Sequence, residues 1–153
     1  MFHRYDYESE YYPALSRVPL DARRKLDLTG VKIALNDWLA FSFAERSVLC
    51  HLPCETDEEQ KVFERYLDFL CRHYFGNPAK RAAVMREDLW GPSEVPDAVV
   101  EKSQALGCAV TLSQWRALPA PQRYALYKTA TSKSQPEAFE QVLQQLQGEL
   151  ADR

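Results

Sequence analysis

The sequence has few residues of the types that disulfide-rich, metal-dependent or membrane proteins need. Its 153 residues include 4 cysteines, 3 histidines and 5 glycines. The cysteines are too few and too scattered for a disulfide framework, and no run reaches the ~18 apolar residues of a transmembrane helix. The first residues, MFHRYDYESE, are acidic where a signal peptide is apolar. We therefore expect a cytoplasmic protein with reduced thiols and no membrane segment.

The chain also lacks an excess of charge of either sign. It has 19 basic and 22 acidic residues, for a net charge of −3. A large positive field that could neutralise phosphates is not expected, which argues against nucleic acid as a partner. The one basic cluster, Arg23-Arg24-Lys25, is interpreted as a solvated helix face.

Motifs of the common enzyme classes are missing as well. There is no G-x-S-x-G, P-loop, G-x-G-x-x-G or H-E-x-x-H pattern. Metal-type ligands concentrate only in Cys50-His51-Leu52-Pro53-Cys54, with Cys71 further on, and this spacing is wider than a zinc knuckle. We expect buried structural thiols there, and a metal site at Cys50, His51 and Cys54 is the less favoured alternative. The sequence thus predicts a protein that is not an enzyme and has no resident cofactor or metal.

What is abundant favours helix. Hydrophobic residues make up 46% of the chain and charged residues 27%, as in ordinary globular proteins. Leu, Ala, Glu, Gln and Arg, all good helix formers, are frequent. Ser42-x-x-Glu45 and Thr56-x-x-Glu59 have the pattern of capping boxes, which marks the starts of two helices.

Two stretches, 18–49 and 95–126, align with each other at a constant offset. The identical pairs are Val18/Val95, Pro19/Pro96, Lys25/Lys102, Gly30/Gly107, Leu35/Leu112, Trp38/Trp115, Ala40/Ala117, Arg46/Arg123 and Leu49/Leu126. Each copy reads as a helix that ends at glycine, a short alternating segment, a short helix with the tryptophan and a longer helix with the arginine. We predict an all-α, internally duplicated fold with pseudo-twofold halves, in which the two alternating segments pair as a minimal two-stranded ribbon between the repeats.

The predicted boundaries follow from this duplication. Residues 1–17 form an extended aromatic-acidic arm, 18–75 the first helical repeat, 76–94 a connecting helix and linker, and 95–153 the second helical repeat of one compact domain. The connecting helix is placed at Ala79 to Glu87, between Gly76-Asn77-Pro78 and Trp90-Gly91-Pro92.

Two sets of residues are candidates for a site. In each repeat an arginine follows the tryptophan by eight residues, as Trp38 with Arg46 and Trp115 with Arg123. We expect each tryptophan to pack in its own half and each arginine to anchor it. The second set is the aromatic residues of the arm, which are of a type that interfaces favour: Phe2, Tyr5, Tyr7, Tyr11 and Tyr12. The arm either lies across its own domain or forms a protein-binding surface, and it is the best candidate for binding.

Several short elements follow one another in the N-terminal third: Tyr5 to Glu8, Leu15 to Pro19, Arg23 to Asp27, Gly30 to Lys32, Trp38 and Pro53-Cys54. In this order they resemble the nitrate reductase-associated protein family. Arg17-Val18 departs from the family's Arg-Cys-Ile, which removes a cysteine and weakens any metal role for the thiols. The resemblance implies nitrate reductase as partner and a link to molybdenum-cofactor genes, and it assigns no catalytic residue.

The leading hypothesis is a non-enzymatic accessory or maturation protein of assimilatory nitrate reductase that acts by protein–protein binding. The alternative is a small-molecule or cofactor-binding module that uses the cleft between the two repeats.

Overall fold

A computed structural model describes residues 2–151 of the chain. These residues form α1 (Leu20–Thr29), α2 (Leu35–Ala40), α3 (Phe43–His51), α4 (Asp57–Phe75), α5 (Asp97–Ala105), α6 (Leu112–Ala117), α7 (Ala120–Thr131) and α8 (Pro136–Ala151). The strands are β1 (Val31–Lys32) and β2 (Lys80–Arg81), and two 3-10 helices span Asp6–Glu8 and Glu87–Trp90. The predicted all-α class, with a minimal ribbon, is confirmed.

The chain divides into two compact units. The first unit comprises Glu10–Arg86 together with Phe2, and the second comprises His3–Ser9 and the chain from Glu87 onward. Among residues 2–151, none of the helices combines the length and the apolar composition that crossing a bilayer requires.

The first unit is organised around α4, which packs against α1. Thr56 caps the start of α4 by accepting a hydrogen bond from the Glu59 amide at 3.1 Å, and the helix ends at Gly76 with φ 77°. Side chains of one helical stripe are buried: Phe63, Leu67, Leu70 and Cys71. They pack with residues of the other elements to form the core, which includes Leu15, Val18, Ala22, Leu26, Val31, Trp38, Phe41, Leu49, Cys50 and Cys54.

The second unit has its own core, built mainly where α7 and α8 pack together. Apolar positions of both helices are buried, together with Trp90 and Trp115: Tyr124, Ala125, Leu126, Phe139, Val142, Leu143 and Leu146. The Trp90 and Tyr124 rings meet edge to face, with centroids 5.0 Å apart. The 3-10 helix Asp6–Glu8 packs on α8, where the Asp6 amide donates to Gln145 Oε1 at 2.8 Å.

The predicted pairing of the ribbon is wrong. β1 pairs antiparallel with β2, so that Val31 lies opposite Arg81 and Lys32 opposite Lys80. In the second unit the segment that was expected to pair with β1, residues 108–111, contains no strand. The ribbon therefore closes within the first unit rather than between the repeats.

The predicted connecting helix from Ala79 to Glu87 is also wrong. Residues 82–86 are non-helical, between β2 and the 3-10 helix Glu87–Trp90. Backbone groups explain this, because the end of α1 leaves carbonyls without partners inside the helix. The Met85 amide donates to Asp27 O at 2.9 Å and the Ala82 amide to Gly30 O at 2.8 Å. Because these two amides bind carbonyls at the end of α1, they cannot form the backbone hydrogen bonds of a helix in their own segment.

Equivalent positions of the proposed repeats occupy equivalent elements. At the offset that aligns the two stretches, α2 (Leu35–Ala40) and α6 (Leu112–Ala117) coincide residue for residue. Gly30 and Gly107 follow α1 and α5, and both have positive φ, 69° and 72°. The internal duplication itself stays a prediction.

Residues 6–15 of the N-terminal arm are not extended, contrary to the prediction for residues 1–17, of which Met1 lies outside the described residues. Residues 9–15 are turns, and local backbone hydrogen bonds join the Glu8 amide to Tyr5 O at 3.0 Å and the Leu15 amide to Tyr12 O at 3.3 Å. Tyr5 and Glu8 are each only 2% exposed. Their spacing of three residues places both on one side of a 3-10 turn, whereas a strand would have turned them to opposite faces.

Candidate functional site

The tryptophan–arginine pair of the first unit is part of the structure that closes its core. Trp38 is 2% exposed, and its indole Nε1 donates to the carbonyl oxygen of Leu15 at 2.8 Å. Arg46 Nη1 donates to the same oxygen at 3.2 Å. Both side chains thus tie the segment before α1 to the helices α2 and α3.

The tryptophan–arginine pair of the second unit also binds backbone carbonyls, but the two side chains use different acceptors. Trp115 is fully buried and donates to Gly91 O at 2.7 Å. Arg123 Nε donates to Trp90 O at 2.8 Å, and its Nη1 donates to Leu118 O. Burial lowers the pKa of Arg123, and Glu87 opposes that effect. These four side chains therefore have structural partners inside their own units.

The arm residues that were predicted to bind protein lie mostly against the chain itself. Tyr5 is buried in the second unit, where its hydroxyl donates to Pro121 O at 3.4 Å. Phe2 and Tyr12 meet edge to face at 5.5 Å in the first unit, and Tyr12 also contacts Tyr11 at 6.1 Å. Phe2, Tyr7, Tyr11 and Tyr12 are half-buried. The aromatic surface of the arm is thus smaller than the sequence suggested, and its role in binding stays a prediction.

The thiols of the first unit are enclosed in its core. Cys50 and Cys54 have no exposed surface and Cys71 has 4%, whereas Cys108 of the second unit is exposed. Burial raises the pKa of Cys54 to about 11 and also raises the pKa of Cys71. A thiol that is protonated at neutral pH is a poor nucleophile and a poor metal ligand. Within residues 2–151, no three or more His, Cys, Asp or Glu side chains are grouped so that they could hold a metal ion.

Arg24 and Lys25 are not the solvated residues that the sequence suggested. Arg24 is 2% exposed and Lys25 has no exposed surface. Arg24 Nε binds Asp21 Oδ1 at 2.8 Å, and its Nη1 binds Glu55 Oε1 at 3.2 Å. Only Arg23 of this basic cluster is exposed. Arg24 and Lys25 are therefore internal features of the first unit.

Lys25 completes the C-terminal end of α3. Its Nζ donates to Cys50 O at 2.6 Å and lies 3.5 Å from Leu49 O, two carbonyls in the last turn of that helix. A cation at this end also complements the helix dipole. Burial lowers the pKa of Lys25, and the Asp21 carboxylate opposes that effect. A lysine within an amphipathic helix is normally read as exposed, so no sequence signal indicated this role.

The most exposed group of aromatic side chains lies at the C-terminal end of α4. We call Phe69, His73, Tyr74 and Phe75 the α4 aromatic cluster. Phe69 is 62% exposed, Tyr74 38% and Phe75 40%. The Phe69 and His73 rings are stacked at 6.3 Å, and His73 meets Tyr74 edge to face at 4.9 Å. The rings therefore form a continuous aromatic surface.

Two of the rings in this cluster contact side chains of neighbouring elements. The buried ring of Phe41 lies 5.7 Å from Tyr74 and 6.1 Å from Phe75. The Tyr74 hydroxyl donates to Glu45 Oε1 at 2.5 Å, and this hydrogen bond raises the pKa of Tyr74. A side chain ordered in advance loses less entropy when a partner binds. Tyr74 and Phe75 of the cluster are therefore supported by side chains of the first unit.

Sequence reasoning missed this surface. The sequence predicted the start of α4 at Thr56 but not its exposed aromatic side, where Phe69 lies on the opposite side of the buried stripe from Cys71. The sequence did contain a signal for it, because Phe69 is an aromatic residue that lies outside the buried stripe of an amphipathic helix. Exposed large apolar residues of this kind often mark an interaction site when they are contiguous.

A pocket is present within the first unit. It has a volume of about 220 Å³ and is lined by residues that include Lys32, Asp37, Phe75 and Lys80. The alternative interpretation of the sequence placed a small molecule in a cleft between the repeats. This pocket is instead formed by the ribbon, the start of α2 and the end of α4.

The fold and the described surface define a mostly helical protein with an exposed aromatic cluster on one helix. A family model described as conserved nitrate reductase-associated protein matches residues 4–146. The chain belongs to this family, and the resemblance found in the N-terminal third is confirmed over most of the sequence. Neither a curated protein nor a solved structure matches the chain. The name of the family links the protein to nitrate reductase.

Proposed function

We propose that this protein is a non-enzymatic accessory protein that binds nitrate reductase and supports its maturation or function. The association with nitrate reductase comes from the family to which the chain belongs. The mode of action, direct protein–protein binding, is supported by one structural observation above the others, the exposed α4 aromatic cluster.

The cluster has the chemistry of a protein-binding surface. Aromatic side chains are enriched at interfaces, and a few of them carry most of the binding energy. Phe69, which is 62% exposed and so more exposed than Tyr74 and Phe75, has one ring contact, with His73. Covering this ring with a partner would remove apolar surface from water. Phe69 is therefore the proposed centre of the interface.

The non-enzymatic role is supported by the structural contacts that occupy the buried lysine, arginine and cysteine side chains of the first unit. Lys25 is used to complete α3, and Arg24 is paired with Asp21 and Glu55. The Cys54 thiol is buried, and its pKa is raised to about 11. Side chains held in this way stabilise the fold, and they offer neither an activated nucleophile nor a base that a substrate could reach.

Co-purification from nitrate-grown cells tests this proposal. A tagged copy is isolated beside the variants Phe69→Ser and Leu112→Ser, and the recovered nitrate reductase is quantified. Leu112 is the control, because it is a 40% exposed apolar residue of the second unit. We expect the wild-type protein and Leu112→Ser to recover the reductase, and Phe69→Ser to recover several-fold less. Equal recovery of the reductase with all three proteins would contradict the role of the cluster in binding. No recovery with any of them would contradict direct binding itself.

A further inference from the structure

The pocket of the first unit has two walls of different chemistry. Lys32, Asp37 and Lys80 supply charged groups, and Ile33, Cys71 and Phe75 supply apolar surface. Its volume of about 220 Å³ is below the ~300 Å³ at which pockets for drug-sized ligands begin. The space thus suits a small molecule with a charged end and an apolar end.

The two lysines of the pocket face each other across the ribbon. Lys32 of β1 lies directly opposite Lys80 of β2 in the antiparallel register. Side chains of directly opposed residues point to the same face, with Cβ atoms about 5 Å apart. Two like charges in this position repel each other and destabilise the pair of strands. The ribbon therefore carries a concentration of positive charge at the pocket.

Neighbouring carboxylates leave this charge only partly neutralised. Asp68 Oδ2 binds Arg81 at 2.9 Å, and Asp68 Oδ1 accepts from the Ala79 amide at 3.1 Å. Asp37 Oδ2 lies 3.4 Å from the Ala34 amide at the start of α2. Within residues 2–151, the ion pairs of the structure include neither Lys32 nor Lys80. Two ammonium groups and one carboxylate give the lining a net positive charge of one.

We propose that this pocket binds a small organic monoanion, a short-chain carboxylate. Its carboxylate group lies between the ammonium groups of Lys32 and Lys80, and its apolar chain lies against Phe75 and Ile33. Binding replaces the repulsion of the lysines by two charge-assisted contacts. Asp37 disfavours ligands of higher negative charge, because a second anionic group would approach its carboxylate.

A titration followed by chemical shifts of backbone amides tests the site. Butyrate is the probe, butyramide is its uncharged isostere, and acetate lacks most of the apolar chain. Butyrate is expected to shift the amides of Lys32, Lys80 and Phe75 with saturation, whereas butyramide causes no such shifts and acetate binds more weakly. Saturable shifts by butyramide at equal concentration would overturn recognition of the charge, and the absence of shifts with butyrate would overturn the site.

Matched variants distinguish a specific effect of Lys32 and Lys80 on binding from the effect of removing one positive charge anywhere on the protein. Lys32→Gln and Lys80→Gln are each expected to weaken butyrate binding about threefold to tenfold. Lys61→Gln removes the same charge from an exposed position of α4 and is expected to leave binding unchanged. Without ligand, Lys32→Gln is expected to raise the melting temperature relative to Lys61→Gln, because it relieves the repulsion across the ribbon. An equal loss of binding with Lys61→Gln, or no rise in melting temperature, would contradict the proposal.

Discussion

Trp38 and Arg46 donate hydrogen bonds to one acceptor, the carbonyl oxygen of Leu15, at 2.8 and 3.2 Å. Leu15 is 3% exposed and has a φ of 48°, the only positive φ of a non-glycine residue among residues 2–151. A left-handed conformation costs a leucine roughly 1–2 kcal/mol. The two donors and the buried side chain compensate for this cost, and they fix the path of the chain into α1.

A double-mutant cycle tests this shared acceptor. Trp38→Phe and Arg46→Met each leave the Leu15 carbonyl with one of its two donors, so each is expected to cost about 1–2 kcal/mol in the free energy of unfolding. The double variant leaves the buried carbonyl with neither donor. We expect it to cost about 1 kcal/mol more than the sum of the single variants, as measured by urea denaturation.

The second unit supplies the control for this cycle. Trp115 and Arg123 donate to different carbonyls, those of Gly91 and of Trp90 and Leu118. Trp115→Phe and Arg123→Met are therefore expected to be closer to additive than the pair of the first unit. A larger coupling energy in the second unit would show that the common acceptor is not the cause.

The helical class and several helix ends were predictable from local chemistry. Ser42 and Thr56 cap α3 and α4 as their spacing from Glu45 and Glu59 predicted. Gly30 has the positive φ expected at the end of a helix. Features of this kind depend on a few consecutive residues, and for that reason a single sequence reveals them.

The features that were missed depend on contacts between distant segments. β1 pairs with β2, almost 50 residues away along the chain, because the carbonyls of Asp27 and Gly30 bind the amides that follow β2. Lys25 is buried because the end of α3 packs over it, and its ammonium group donates a hydrogen bond to Cys50 O. The contacts that support the α4 aromatic cluster, from Phe41 to Tyr74 and Phe75, also join distant segments. Periodicity along the chain does not carry this information.

Replacing Gly30 and Gly107 by alanine is expected to have unequal effects. Both glycines have positive φ, so each substitution costs roughly 1 kcal/mol of stability. A Cβ atom at Gly30 would also lie 2.9 Å from both Ala82 O and Val84 Cγ2, whereas one at Gly107 meets nothing within 4 Å. We expect Gly30→Ala to cost about 1–3 kcal/mol more than Gly107→Ala in urea denaturation. Equal losses would mean that residues 82–84 do not lie against Gly30.

The buried Lys25 is expected to make stability depend on pH. Burial lowers the pKa of Lys25 in the folded protein below its ordinary value of 10.5. Between the lowered pKa and 10.5 the unfolded chain binds more protons than the folded one, so the contribution of Lys25 to stability rises with pH through that window. The free energy of unfolding of the wild type, relative to Lys25→Met, is therefore expected to increase as the pH is raised towards 10.5.

An exposed lysine gives the comparison for this measurement. Lys61 lies on the exposed side of α4, and Lys61→Met removes a lysine charge there without removing a buried one. A difference for Lys25→Met that stayed constant or fell with rising pH would contradict the burial of a charged ammonium group.

The four cysteines are expected to react at very different rates. Cys108 is exposed, whereas Cys50, Cys54 and Cys71 are buried. The pKa of about 11 also leaves very little Cys54 thiolate at mildly alkaline pH. A disulfide reagent such as Ellman's reagent should modify one thiol quickly in the folded protein, and Cys108→Ser should abolish this phase. Fast modification of a second thiol would show that the core of the first unit opens readily.

The proposed binding of nitrate reductase depends on the α4 aromatic cluster, and side chains from other segments support that cluster. Phe41 supports the rings from the core, and Glu45 binds the Tyr74 hydroxyl. The same helix end contributes Phe75 to the pocket. A change in α4 can therefore affect both proposed activities, and Phe69, which does not line the pocket, is the residue that separates them.

The most direct test of the central claim is the affinity of purified nitrate reductase for this protein, measured by calorimetry with the wild type, Phe69→Ser and Leu112→Ser. Equal melting temperatures of the three proteins would first establish that the substitutions leave the fold intact. The account predicts that the wild type and Leu112→Ser bind equally and that Phe69→Ser binds about tenfold more weakly or worse. Binding by Phe69→Ser as tight as that of the wild type, or no binding by the wild type, would contradict it.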